Sequence, residues 1–444
     1  MFMDYPPTPS IFTLLAGKRR TPFFLLLLFF LAAPLPLRAA GPLSLEQAVA
    51  EALKGNPSLA AIKARADALA AIPDQAGTLP DPKMSVKMLN LPVDGFSNTQ
   101  EPMTQLQIGF SQSLPFPGKL RLRKEVAQAI ADAAGFGVEE LRLKLARDVK
   151  MVWWNLFFLD RALEIVDSNQ TLLRQFVEVA ESKYSVGQGL QQDVLLAQVE
   201  LSKLLDQQIH LEGQRRNEVI RLNTLLDYPA TAPVTLPAGI IEGFKPLLDE
   251  TQLMARAEAI RPLLAMRERQ VEAARLRLAL AKKDYYPDFN LGAAYGLRNG
   301  TNPDGSSRDD FASIMFSMNL PIFTATKQDR AVDQRNSERL RQRYALEDER
   351  NQVAAAIGQA ISDFRRSEEK VTLFKTGIIP QASQTVASML AGYQVNKVDF
   401  LNVVRSQITL YNYQTLYWKA FSEANQALAR LAAAVGEENI HEHE

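Results

Sequence analysis

No proline interrupts the chain between Pro117 and Pro229, and that gap limits the fold more than any other feature. Drawn as one helix, the run from Gly118 to Val186 reaches about 100 Å at roughly 1.5 Å per residue. No single compact domain holds a helix of that length. The return leg, about Gln191 to Leu226, is half as long and is similar in length to helices expected over 44–72, capped by Ser44, and 250–283. Two half-length helices stacked end to end match one long one.

The second half of the chain repeats the first. YSVGQGLQQDVLLAQ at 184–198 returns as YQVNKVDFLNVVRSQ at 393–407, and FSQSLPF at 110–116 returns as FSMNLPI at 316–322. Pro80-Asp81 returns as Pro287-Asp288, and Asn56-Pro57 has its counterpart in Arg261-Pro262. Four matches in one order, offset by 205 to 209 positions, identify two structural repeats. Repeat 1 spans 41–226 and repeat 2 spans 250–436, joined by a proline- and glycine-rich linker or equatorial segment at 227–249. Each repeat reads as a helix, a strand pair and a long helical hairpin. The hairpins reverse near Gly187 and near Asn396, which stands in the place of Gly187; Gly187 and Gly189 supply the backbone freedom at the first reversal.

The strand pairs fall at 83–91 with 104–114 and at 288–297 with 311–320. In the first pair Met84, Val86 and Met88 share a face, and Leu106, Ile108 and Phe110 oppose Gln105, Gln107 and Gly109. In the second, Phe289, Leu291 and Tyr295 oppose Asn290, Gly292 and Gly296. Such alternation suits either the half-buried sheet of a soluble domain or membrane-spanning strands. The strand length, the turn-rich loops PVDGFSNTQEPM and RNGTNPDGSSRD, and the export signal described next favour the membrane. Four strands cannot close a barrel, because the smallest have about eight, and lipid does not tolerate open sheet edges. The chain is therefore expected to oligomerise.

Lys18, Arg19 and Arg20 precede the apolar run FFLLLLFFLAA, and PLPLRAA follows, ending in the small residues Ala39 and Ala40. Residues 1–40 read as a secretory signal peptide, since this run is too short to span a bilayer. Residues 437–444 read as a disordered tail. The 444 residues carry 50 basic and 50 acidic side chains, no cysteine and three histidines. The balanced charge gives no footprint for nucleic acid. The lack of cysteine removes thiol catalysis, disulfides and thiolate metal sites. With His210, His441 and His443 as the only histidines, an enzyme is the remote reading, and no cofactor, metal or catalytic residue is assigned.

The two tip phrases, the strand-ending Leu114-Pro115 and Leu320-Pro321, the Asn56-Pro57 step and the overall duplication together resemble the TolC family of outer-membrane efflux channels. The stretch NLPVDGFSNTQEPMTQ, followed by LPFPGK, resembles its heavy-metal (CzcC-like) branch. The resemblance implies an α/β membrane protein, mostly α. Three copies would form a twelve-stranded outer-membrane β-barrel, four strands per chain, continued into the periplasm by a long α-helical barrel. It further implies a passive exit duct in a Gram-negative outer membrane, possible metal-ion cargo, a periplasmic adaptor (membrane fusion protein) and an inner-membrane pump of RND type. In the family a tip tyrosine bonds an aspartate to hold the tunnel shut, and Tyr393 and Asp193 occupy those places. Asn402 and Arg405 stand where the family has acidic gate residues, and Val398 replaces its arginine. Adaptor docking is implied for Val186, Gly187, Gly189, Leu190, Val395, Asn396 and Lys397.

Plainer readings stand beside these. Tyr184 and Tyr393 can simply pack the turns, and Asp193 can be a helix N-cap. The aromatic run WWNLFF at 153–158 is expected to pack helices together, and Met84 and Met88 to be ordinary apolar strand positions. A soluble periplasmic adaptor with a long α-hairpin is the rival function.

Overall fold

The computed structural model describes residues 41–239 and 243–441; the signal-peptide segment 1–40 and residues 442–444 lie outside them. A capping box starts the first helix, α1 (Leu45–Gly55): the Ser44 hydroxyl accepts from the Gln47 N–H while the Gln47 side chain accepts from the Ser44 N–H. The continuous helix expected over 44–72 is in fact broken. α2 (Pro57–Ala70) and α3 (Ile72–Gly77) follow as separate pieces. The counterpart in repeat 2 is likewise split, into α6 (Glu250–Ile260) and α7 (Pro262–Lys283). The cause is the residue before proline, which steric clash keeps out of the helical region. Asn56 and Arg261 both adopt extended backbone, with ψ of 120° and 121°. Asn56 then caps α2 by accepting from the Ser58 and Leu59 N–H groups at 2.9 and 3.2 Å.

The four expected strands form one antiparallel sheet in the order β1 (Lys83–Leu89), β2 (Gln105–Leu114), β3 (Phe289–Leu297), β4 (Phe311–Met318). Its register sets Met84 opposite Phe110, Val86 opposite Ile108, Ile108 opposite Tyr295 and Leu291 opposite Phe316. The apolar alternation thus merges into one continuous apolar face. That face is bare in the single chain, with Ile314 at 89 % exposure and Met84 at 66 %. The opposite face carries Gln105, Gln107, Gly109, Ser111, Ser113, Asn290 and Gly292, small or polar residues.

The helical sheath is as long as expected. α4 (Lys119–Ser185) has 67 residues and α5 (Gln191–Leu226) has 36. In repeat 2, α8 (Gln328–Leu373), a π-helical turn at Phe374–Ile378 and α9 (Ile379–Gln394) together equal α4 in length, and α10 (Phe400–Val435) has 36 residues. The π turn ends two residues before Pro380, which lacks the N–H that a continuous α-helix needs there. WWNLFF packs helices together, as expected. Trp153 and Phe157 are buried, Trp154 meets Phe421 edge-on, and Phe157 meets Trp418.

The expectation of a disordered tail is corrected for 437–441. Ile440 is buried in the core around Leu253, Leu264 and Leu431, its carbonyl accepts from Leu248 N–H at 3.1 Å, and His441 pairs with Leu247. Glu437 and Glu438 form ion pairs with Arg256 and Lys150. A buried isoleucine and the main-chain pairing with the linker tie this segment down.

Candidate functional site at the helical tips

Both helical hairpins reverse by the same backbone device. At the first tip Gln188 N–H bonds Lys183 O at 2.8 Å and Gly187 N–H bonds Tyr184 O at 3.0 Å. At the second, Lys397 N–H bonds Gly392 O at 2.9 Å and Asn396 N–H bonds Tyr393 O at 3.1 Å. Each is a Schellman closure, which requires a left-handed residue after the helix. Gly187 has φ of +72° and Asn396 has φ of +60°. Asn396 thus does take the place of Gly187; asparagine is one of the few side chains that tolerate this region.

Gly189 has a different task. A Cβ there would lie 2.9 Å from Lys183 Cβ and 3.0 Å from Tyr184 N, so α4 leaves room only for hydrogen. In repeat 2 the pair is exchanged: Val398 stands where Gly189 does, and Gly392 stands where Lys183 does. A Cβ on Gly392 would meet Val398 Cγ2 at 2.6 Å. One small and one large residue fill the same space in each tip, which accounts for Val398 at a place where the resemblance leads one to expect arginine.

Tyr393 is 5 % exposed and packs with Phe176, Phe400 and Val403 beneath the two tips, its ring centre 5.1 Å from that of Phe400. The bond between Tyr393 and Asp193 implied by the resemblance is not made. The Tyr393 hydroxyl is buried with no hydrogen-bond partner among the described residues. Burial raises its pKa, and the nearby Asp193 charge adds to the rise. Nor is Asp193 an N-cap. Leu190 holds that position, placing Asp193 in the first turn of α5, where the helix dipole favours its charge. Burial nevertheless raises the Asp193 pKa, with the Asp399 charge acting in the same sense and the Leu190 backbone contact and Lys183 opposing it.

The tips are instead strapped together by Lys183, a residue sequence reasoning missed. Its Nζ donates to Tyr393 O at 2.8 Å and to Asn396 Oδ1 at 2.7 Å, and it stands 4.3 Å from the centre of the Tyr393 ring. A lysine whose acceptors lie 210 and 213 positions away, one of them a main-chain carbonyl, carries no signal in its own neighbourhood. Asn402 and Arg405 lie exposed on α10, one turn apart. The outermost surface consists of Val186, Leu190 and Val395, all more than half exposed, beside the exposed Lys397.

Comparison with known proteins agrees with this architecture. The family described as outer membrane efflux protein matches residues 48–227 and 253–437, one match for each repeat. The cobalt-zinc-cadmium resistance protein CzcC of Cupriavidus metallidurans is 21 % identical over 410 residues, 90 % of this chain and 92 % of its own. Among solved structures, the outer membrane protein VceC of Vibrio cholerae superposes with a TM-score of 0.75 at 19 % identity, covering 88 % of this chain and 96 % of its own. The CmeC outer membrane channel of Campylobacter jejuni gives 0.75 at 13 % identity, covering 90 % and 87 %. The family match spans both repeats and well over half of the chain, so the chain belongs to the outer membrane efflux protein family.

Proposed function

We propose that this chain is the outer-membrane duct of a tripartite efflux system. Three copies close a twelve-stranded barrel, and the helical sheath carries the water-filled path into the periplasm. The observation that carries this reading is the bare apolar face of the four-stranded sheet together with its two unpaired edges. Lipid covers such a face, and hydrocarbon requires such edges to be paired. No chemistry is needed, since a polar-lined cylinder conducts passively and a partner pump of RND type in the inner membrane supplies the energy.

The tips are where such a duct is gated and docked. Exposed Val186, Leu190 and Val395, with Gly187, Gly189, Asn396 and Lys397 between them, form an apolar rim with cationic flanks that suits the helical hairpin of a periplasmic adaptor. Asp193, Tyr393, Asn402 and Arg405 form the gate with Lys183 as its strap. Similarity to CzcC supports metal ions as cargo. A deletion strain should lose resistance to cobalt, zinc and cadmium and regain it from the full-length gene. Unchanged metal resistance together with new sensitivity to detergents or antibiotics would refute the cargo and leave the duct.

A further inference from the structure

The four strands contain two charged residues, Lys83 and Lys87, both on β1 and both exposed. The register places them on the polar face of the sheet, Lys83 opposite Ser111 and Lys87 opposite Gln107, with Ser85 between them opposite Gly109. Two glycines trace that face across the strands. A Cβ on Gly109 would lie 3.2 Å from both Ser85 Oγ and Ala294 Cβ, and one on Gly292 would lie 3.3 Å from Met315 Cε. Every other residue of the face is uncharged. Charges at its two ends are already engaged. At the foot, buried Lys119 reaches Asp284 and Asp288 at 3.0 Å. At the outer end, the Arg298 guanidinium donates to the Pro102 and Asp309 carbonyls, and Asp310 accepts from the Arg298 N–H and the Tyr295 hydroxyl. Asp81 is exposed two residues before Lys83. Lys87 stands about 13 Å further along the strand, among uncharged neighbours.

We infer that Lys83 and Lys87 make the barrel section of the duct selective for anions, so that a metal ion crosses it with its charge cancelled or reversed by anionic ligands. The inference rests on the duct reading. Three copies then turn this face towards one aqueous path and bring two ammonium groups each to it, with no acidic residue in any strand. Rings of lysine or arginine are the means by which anion pores discriminate, and lumen-facing residues tune selectivity in barrels. A unit charge about 10 Å away in water changes the local concentration of a monovalent ion about twofold, and several such charges act together. Salt limits their reach, since the Debye length falls from about 30 Å at 0.01 M to about 3 Å at 1 M. A lysine on an edge strand also deters stray strand pairing. That plainer role predicts no effect on which ions pass.

Reversal potentials of the full-length protein in planar bilayers, under a potassium chloride gradient, test this. The parent pore should pass chloride over potassium by at least about threefold near 0.01 M salt and approach parity near 1 M. The Lys83→Gln, Lys87→Gln double variant should lower the ratio at low salt by at least about threefold. The chain has no cysteine, so Lys87→Cys carries one thiol per copy. On pores already formed by Lys87→Cys, a cationic methanethiosulfonate should restore the parent ratio and an anionic one should lower it further. Modification in place keeps any folding defect of the glutamine variant from deciding the outcome. A parent pore that prefers potassium, or intact pores whose ratio neither the glutamines nor the thiol reagents move, would overturn anion selection and leave the duct standing. A parent protein that forms no discrete pore would overturn the duct, and this inference with it.

Discussion

Replacing Lys183 with methionine keeps the apolar stem of the side chain and removes three contacts at once: two hydrogen bonds at 2.8 and 2.7 Å and a cation 4.3 Å from the Tyr393 ring centre. A hydrogen bond from a charged donor contributes about 1.5–3 kcal/mol where water is excluded, and an exposed cation–π contact about 0.5–1 kcal/mol. Lys183 is only half-buried, so solvent and salt weaken both, and about 2 kcal/mol per chain is a reasonable net figure. A loss of that size shifts the equilibrium between strapped and separated tips by about 30-fold. Hydrogen exchange followed by mass spectrometry on the full-length protein in detergent reads this directly. The amides of Gln188 and Lys397, which close the two turns, should exchange about 30-fold faster in Lys183→Met, while those of β2 and β3 stay unchanged. Conductance in planar bilayers should rise. Exchange within about twofold of the parent protein at both tips would show that Lys183 is a surface lysine with no strapping role.

Three further outcomes follow from the geometry. Gly189→Ala should disturb the first tip more than Gly187→Ala, because its Cβ strikes the α4 backbone whereas a Cβ at Gly187 meets open space and only the strain of φ +72°, about 1–2 kcal/mol; equal loss of thermal stability would contradict this. Ile314→Arg, on the most exposed position of the apolar sheet face, should cost about 2–4 kcal/mol if that position lies near the bilayer centre, measured by urea titration in detergent or lipid; a neutral result would mean lipid does not cover this face. Asp193, whose pKa is raised above its ordinary 3.8 chiefly by burial, binds its proton more tightly in the folded tip than in the unfolded chain. The stability it lends is therefore full below 3.8 and lost as pH rises through the raised value, so mild acidification should slow tip exchange and lower conductance. Asp193→Asn should flatten that dependence, and an unaltered pH profile would assign it to other groups.

Much of the architecture was legible because its signals are local or periodic. A proline-free run sets the length of α4, two-residue alternation marks all four strands, and the duplicated phrases locate the tips to within a residue. The breaks at Asn56-Pro57 and Arg261-Pro262 are also local, because a residue before proline is kept out of the helical region, and in both repeats this outweighs the helical pattern on either side. What escaped was non-local. Lys183 acts on a carbonyl in the other repeat, Ile440 docks against helices far away in sequence, and the exchange of Lys183/Gly189 for Gly392/Val398 shows only when the tips are laid side by side. The Tyr393–Asp193 bond came from resemblance alone, and packing with Phe400 holds the ring without it.

Native mass spectrometry of the full-length protein, extracted from outer membranes and released from detergent, tests the assembly most directly. A species of three chains that also forms discrete conducting pores in planar bilayers is the expected result. A monomer recovered from the soluble fraction, inert toward bilayers, would contradict the account.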